Sequence, residues 1–291
     1  MNKNLKIIVT GVKGQLGYDV CRELKNRGYT NYVGIDIDDL DLTNKNDIDN
    51  FFEIHKPDVV INNAAWTAVD KAEEFKEKVY EVNALAVKYL SQACKKHDSK
   101  LIQISTDYVF EGNGNHYYQE DDCKGPLGTY GKTKSEGEDF VLEILDKYFI
   151  VRISWVFGIN GNNFIKTMLR LAETKTELNV VCDQIGSPTY TLDLSKLLCD
   201  MVESEKYGIY HATNEGVCSW YDFTNYIFEV ANVTSVKVNP ITTLEYQKLV
   251  KQAFRPLNSR MSKDKLDREG FNRLPHWKDA VKRYIKNELG R

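Results

Sequence analysis

Lys6-Ile7-Ile8-Val9-Thr10-Gly11-Val12-Lys13-Gly14-Gln15-Leu16-Gly17 is the stretch on which the fold turns. Its first five residues read as a buried strand, and residues 15–27 as the helix that follows. Between them Gly11, Gly14 and Gly17 remove the Cβ atoms that would keep a phosphate away from the backbone. The helix start beside them, at Gln15 and Leu16, offers free N–H groups and the positive end of the helix dipole. About twenty residues on, Asp36 ends a second strand, where a carboxylate can accept hydrogen bonds from ribose hydroxyls. A glycine-rich turn can also serve strand–helix packing alone. Strand, loop, helix and acid in this order favour a dinucleotide site. The acidic run Asp36-Ile37-Asp38-Asp39 holds no arginine or lysine and would repel a 2′-phosphate, so NADH is the expected cofactor, with NADPH as the alternative.

Outward from this unit the alternation continues. Asn31-Tyr32-Val33-Gly34-Ile35 is a strand, 46–55 a helix ended near Pro57, and Asp58-Val59-Val60-Ile61-Asn62 a third strand. A long helical stretch covers about 77–96, followed by strands at Leu101-Ile102-Gln103-Ile104-Ser105 and Phe149-Ile150-Val151-Arg152-Ile153. Short apolar strands separated by helices predict an α/β, doubly wound (Rossmann-type) parallel sheet covered on both faces. After Trp155 the regularity loosens. Helices are expected at 164–173, 192–202, 220–231 and 277–287, a short strand at Asn179-Val180-Val181, and one more sheet strand at Gly208-Ile209-Tyr210-His211. The expected division is a dinucleotide-binding part, 1–155 plus about 191–213, and a smaller mixed C-terminal substrate lobe, about 156–190 and 214–291.

Whole-chain numbers narrow the function classes. The chain has 291 residues, 42% of them hydrophobic and 28% charged, an ordinary soluble balance. A net charge of −3 gives no broad attraction for nucleic acid. No apolar run approaches the ~20 residues of a membrane helix, and the first residues are too short and polar for a signal peptide. The six cysteines are dispersed with no Cys-x-x-Cys pair, so reduced thiols in a cytoplasmic protein are expected.

Tyr130-Gly131-Lys132-Thr133-Lys134 opens another helix. Residues four apart share a helix face, so Tyr130 and Lys134 can reach one site. A free phenol, with a pKa near ~10, is a poor acid–base group at neutral pH. A neighbouring ammonium should stabilise the phenolate and lower that pKa. A carbonyl receiving hydride needs such a proton donor. The spacing alone can also be an exposed helix face. Here it follows a dinucleotide-binding half and Ser105-Thr106-Asp107, at the sheet edge where ligands of such folds bind.

With these residues the chain resembles the extended short-chain dehydrogenase/reductase superfamily and, within it, the dTDP-4-dehydrorhamnose reductase family. The resemblance runs from about Lys6 to Lys286. It is carried by Asn63-Ala64-Ala65-Trp66-Thr67-Ala68-Val69-Asp70-Lys71-Ala72-Glu73, Ser105-Thr106-Asp107-Tyr108-Val109-Phe110 and the Tyr130 to Lys134 stretch. Later come Arg152-Ile153-Ser154-Trp155-Val156, Gly161-Asn162-Asn163-Phe164, Asp183-Gln184-Ile185-Gly186-Ser187-Pro188-Thr189 and Arg255-Pro256-Leu257-Asn258-Ser259.

The resemblance implies reduction of the C4 carbonyl of dTDP-4-dehydro-L-rhamnose by NAD(P)H, in nucleotide-sugar and polysaccharide biosynthesis. It puts Gly14, Gln15 and Leu16 at the pyrophosphate, Asp36 at the adenosine ribose, and Asp41 and Leu42 beside the adenine. Ala64, Ala65, Trp66 and Thr67 would line the middle of the cofactor. Tyr130 would be the proton donor, Lys134 its tuning partner on the nicotinamide ribose, and Thr106 the hydroxyl partner. Asn83 would organise a relay water. Asp107, Trp155, Asn163 and Arg255 would meet the sugar nucleotide. Plainer roles stay open: a helix bridge for Asn83, core packing for Trp155, a turn cap for Asp107, a solvated charge for Arg255. Trp66 stands where many relatives have histidine or tyrosine. Tyr190-Thr191-Leu192 lacks the acid through which some relatives hold magnesium, so no metal is expected. A monomer or homodimer fits. Rival readings are another nucleotide-sugar reductase or epimerase, or a non-catalytic regulatory subunit resembling that of methionine adenosyltransferase.

Overall fold

The computed structural model describes residues 3–291. Strands β1 (Ile7–Thr10), β2 (Tyr32–Ile35), β3 (Val59–Asn62), β4 (Lys100–Thr106) and β5 (Tyr148–Ile153) join Gly208–His211 in one six-stranded sheet. Its order is β2-β1-β3-β4-β5 and then Gly208–His211, and every pairing is parallel. Apolar side chains on both faces of the pleat are what a doubly covered sheet requires. Ile7 and Val9 pack on one face with Val20 and Leu24 of α1 (Gln15–Asn26) and with Leu194 and Leu198. Ile8 and Val60 pack on the other with Phe52 of α2 (Lys45–His55) and Val87. The α2 ends are set locally. Asn44 caps the start by accepting from the Asn46 and Asp47 amides, and Lys56 takes the left-handed conformation before Pro57.

In register Thr10 lies beside Ile35 and Asn62, so the three loops that follow leave the sheet along one edge. β1 lies between β2 and β3, so the chain reverses its winding there. At such a reversal the outgoing loops part and leave a crevice.

The structure refines two expectations. The single helix expected over 77–96 is α4 (Lys76–Tyr80), a wide π turn, Glu81–Leu85, and α5 (Ala86–Lys96), and a separate short helix α3 (Val69–Ala72) precedes it. In the C-terminal part Glu177–Val181 pairs in parallel with Lys237–Ile241, a strand not foreseen because it contains Pro240. That part has its own apolar core, with Phe157, Tyr190, Phe223, Trp277 and Tyr284. All six cysteines are free thiols, and among the described residues no helix is long and apolar enough to cross a membrane.

Candidate active site

The crevice at the carboxyl edge of the sheet is a cleft of about 1030 Å³. At one end stands the glycine loop. A Cβ on Gly17 would lie 2.3 Å from the Gly11 carbonyl oxygen, so only glycine lets the loop fold back on the helix start. Among the described residues no side chain caps α1, and its first turn, which lines the cleft, holds no acid, so its amides are left for a ligand. Asp36 accepts from the Lys13 amide at 2.8 Å and from its own neighbour Ile37 at 2.9 Å, fixing its carboxylate on the cleft wall beside Asp41 and Leu42. Gly11, Gly14, Gln15, Leu16, Ala64, Ala65, Trp66 and Thr67 line the same cleft. Bare helix amides, a loop that excludes Cβ atoms and a carboxylate on the same cleft wall fit a dinucleotide. The acidic run itself carries no cation, but the Lys13 ammonium reaches across the loop to pair with Asp38.

At the other end α6 (Thr129–Ile144) brings Tyr130 and Lys134 to the cleft one turn apart. Gly131 makes that possible: a Cβ there would sit 2.4 Å from the Tyr108 carbonyl oxygen, so the helix start lies directly on the loop after β4. Thr106 lines the same cleft as Tyr130. Thr106 donates to Asp107 Oδ1 at 2.9 Å, and Ser259 donates to Asp107 Oδ2 at 2.5 Å. Burial pushes Asp107 up to about 6, with the Ser259 and Thr106 hydroxyls opposing. Both Asp107 oxygens are thus taken up by protein hydroxyls.

The electrostatics of the pair differ from expectation. Burial pushes the Tyr130 phenol up to about 12; the Thr106 hydroxyl opposes this and the Asp107 charge adds to it. Burial brings Lys134 down to about 8, against the pull of Glu138. Lys134 Nζ donates to the Ile104 carbonyl at 2.7 Å. The expected lowering of Tyr130 by Lys134 is therefore absent in this arrangement, since a backbone carbonyl takes the ammonium and burial disfavours phenolate.

Neither Asn83 nor Asn163, both expected at the site, lines the cleft. Asn83, in the π turn, is buried; it accepts from the Trp66 amide at 2.8 Å and donates to the Trp66 carbonyl at 3.1 Å and Thr133 Oγ1 at 3.4 Å. It bridges a cleft loop to α6. Asn163 caps Phe164–Ala172 and donates to Gln15 Oε1, the Gly158 carbonyl and the Tyr284 hydroxyl, which saturates its amide.

Trp155 and Tyr108 line the main cleft and also a second one of about 340 Å³ beside it. Trp155 has a left-handed backbone, φ 50°, a strained state for a bulky residue. It is held there by the Thr189 amide on its carbonyl (3.1 Å) and by the stack of its ring on Trp220, 3.7 Å between centroids. Arg255 lines the second cleft only, with Gln184, Trp220 and Gln252. Trp220 donates to Gln184 Oε1 at 3.1 Å. Sequence reading gave no role to Tyr108, Trp220 or Ser259. Tyr108 and Ser259 stand inside stretches already singled out, whereas nothing local marks Trp220.

Residues 5–289 match the family described as RmlD substrate binding domain. The chain belongs to that family. As an RmlD-family chain it is 41% identical over 288 residues to a dTDP-4-dehydrorhamnose reductase of Aggregatibacter actinomycetemcomitans, covering 95% of this chain and 97% of the relative. The crystal structure of a dTDP-4-dehydrorhamnose reductase from Clostridium acetobutylicum superposes with a TM-score of 0.94 at 42% identity, over 99% of this chain and 100% of that one. The Bacillus anthracis dTDP-4-dehydrorhamnose reductase, solved in complex with NADP, gives 0.93 at 38% identity, over 98% and 99%. These RmlD-family relatives match along nearly their whole length, so the resemblance covers both clefts.

Proposed function

We propose that this chain reduces the C4 carbonyl of dTDP-4-dehydro-L-rhamnose to dTDP-L-rhamnose, using NAD(P)H. The observation that carries the reading is one cleft with a bare helix start at one end and the Tyr130, Thr106 and Lys134 side chains at the other. The bound dinucleotide would supply the hydride. Tyr130, kept protonated by burial, donates its proton to the sugar oxygen as alkoxide character develops. Thr106 orients that phenol, and Lys134 uses one N–H on Ile104, leaving two for ribose hydroxyls and the nascent phenolate. The sugar nucleotide would lie toward the second cleft, its base near the Trp155–Trp220 stack and its diphosphate near Arg255. In this reading 1–155 with about 191–213 hold the cofactor, and 156–190 with 214–291 hold the substrate.

For the cofactor we propose that NADH is preferred. Asp36 supports this, because its fixed carboxylate suits ribose hydroxyls, while Lys13 is already engaged by Asp38.

An NADH-oxidation assay over a panel of 4-keto nucleotide sugars tests the reading. One NADH should be consumed per dTDP-4-dehydro-L-rhamnose, and Tyr130→Phe should lower kcat by about 10²–10⁴-fold with cofactor binding nearly unchanged. An epimerised product without net NADH consumption, or a Tyr130→Phe enzyme of normal kcat, would sink it.

A further inference from the structure

The stretch Val69-Asp70-Lys71-Ala72-Glu73 has no role in the chemistry above, yet its two acids reach in different directions. Asp70, on α3, leaves the cofactor side of the cleft and accepts from the far end of the chain. Its Oδ1 takes the Ala253 amide and its Oδ2 takes Arg255 Nη2, each at 2.8 Å. Glu73, which ends the same helix, turns toward α6. Its Oε1 accepts the Thr129 amide at 2.7 Å, and its Oε2 the Thr129 hydroxyl at 2.8 Å. Thr129 is the first residue of α6, and its N-cap, Gly128, has no side chain to do this work. Glu73 therefore caps the helix that carries Tyr130, with a charge of the sign the helix start favours.

The strap that Asp70 holds has unfinished bonding. Among the described residues Arg255 Nη1 and Gln252 Nε2 are buried and find no hydrogen-bond partner, and both residues line the second cleft. A buried guanidinium nitrogen without an acceptor is costly. Nη2 is fixed on Asp70 and the Tyr108 side chain lies beside the guanidinium, so Nη1 remains for a ligand, and a phosphate oxygen is the acceptor such a fork suits.

We propose that Asp70 and Glu73 are positioning residues acting through one short helix: Asp70 aims Arg255 at the diphosphate of a nucleotide sugar, and Glu73 sets Tyr130 at the reacting carbonyl. Their common helix then fixes the spacing between the phosphate end and the reacting end of the substrate. The proposal rests on the reductase reading for its second half. Its first half needs only a nucleoside diphosphate.

The test is a set of full-length variants, each read by calorimetric titration with dTDP and by steady-state NADH oxidation. Asp70→Asn should weaken dTDP binding about tenfold and raise KM more than it lowers kcat. In an Arg255→Ala background the same change should do nothing further, the signature of a residue acting through its partner. Glu73→Gln should lower kcat about tenfold with dTDP affinity little moved, as expected for a small displacement of a proton donor. Thr129→Val, which removes only the hydroxyl bond, should give a smaller loss of the same kind and serves if Glu73→Gln does not fold. Equal weakening by Asp70→Asn with and without Arg255 would overturn the first half. A fall in dTDP affinity matching the fall in kcat for Glu73→Gln or Thr129→Val would overturn the second. Wild-type protein that binds dTDP but oxidises no NADH with any 4-keto sugar would instead defeat the reductase reading. The Asp70–Arg255 arm would still be read by calorimetry, and the Glu73 arm by faster amide exchange at Thr129 and Tyr130.

Discussion

Lys134→Met should make the ligand-free protein more stable while abolishing its activity. Lys134 is 5% exposed, and burial moves its ammonium from an ordinary 10.5 down to about 8. A tenfold weaker hold on the proton corresponds to ~1.4 kcal/mol, so keeping the buried charge below pH 8 costs about 3 kcal/mol. Methionine removes that cost and keeps most of the apolar stem. It also strips the Ile104 carbonyl of its 2.7 Å partner, a loss of roughly 1–2 kcal/mol. The net gain is then about 1–2 kcal/mol at pH 7. The pH dependence has a fixed sign. Between about 8 and 10.5 the unfolded chain holds the lysine proton and the folded chain does not, so wild-type stability rises with pH across that window. The variant lacks this contribution, so its advantage is greatest below pH 8 and fades by pH 10.5. Urea unfolding of both proteins at pH 7 and pH 10 measures it. A variant less stable than wild type at pH 7, or a gap that does not shrink with pH, would refute the reasoning.

The same ammonium should give activity an alkaline limb. kcat/KM should fall as pH rises through about 8, where Lys134 loses its proton, and a profile flat to pH 9.5 would count against a charged role. Gly17→Ala places a Cβ 2.3 Å from the Gly11 oxygen, so NADH affinity should drop at least tenfold, by fluorescence titration, with a stability loss of about 1–3 kcal/mol. Asp36→Ala should weaken NADH more than NADPH; if NADPH already binds the wild type more tightly, the proposed preference is wrong.

What the sequence disclosed was whatever depends on near neighbours. The glycine loop, its helix and Asp36 were legible because strand, turn and helix are set within some thirty residues. Tyr130 and Lys134 were legible because four residues make about one helical turn. The small helix Thr243–Leu249, not among the expected elements, carries a local signature too, since Thr242 and Glu245 form a reciprocal cap. The pairing of Lys237–Ile241 with Glu177–Val181, the Trp155–Trp220 stack and the Ser259–Asp107 bond were not legible, because each joins residues some sixty or more apart. The partners of Asn163 were hidden for the same reason: Gln15 and Tyr284 lie more than a hundred residues away on either side.

The largest departure, the direction in which Tyr130 moves, also bears on the direction of catalysis. A phenol that must act as a base needs its pKa drawn down toward neutrality, which is what an ammonium at its oxygen would do. A phenol that must act as an acid needs first to hold its proton, and at about 12 Tyr130 holds it at any working pH. The alkoxide formed when hydride reaches a carbonyl is a stronger base than phenolate, so the transfer runs downhill even from a raised phenol. Burial disfavours both the phenolate and the ammonium, and Lys134, with two N–H groups left beyond Ile104, can support the phenolate only as it forms. Burial therefore favours the proton-bearing phenol, the state from which the proposed reduction starts.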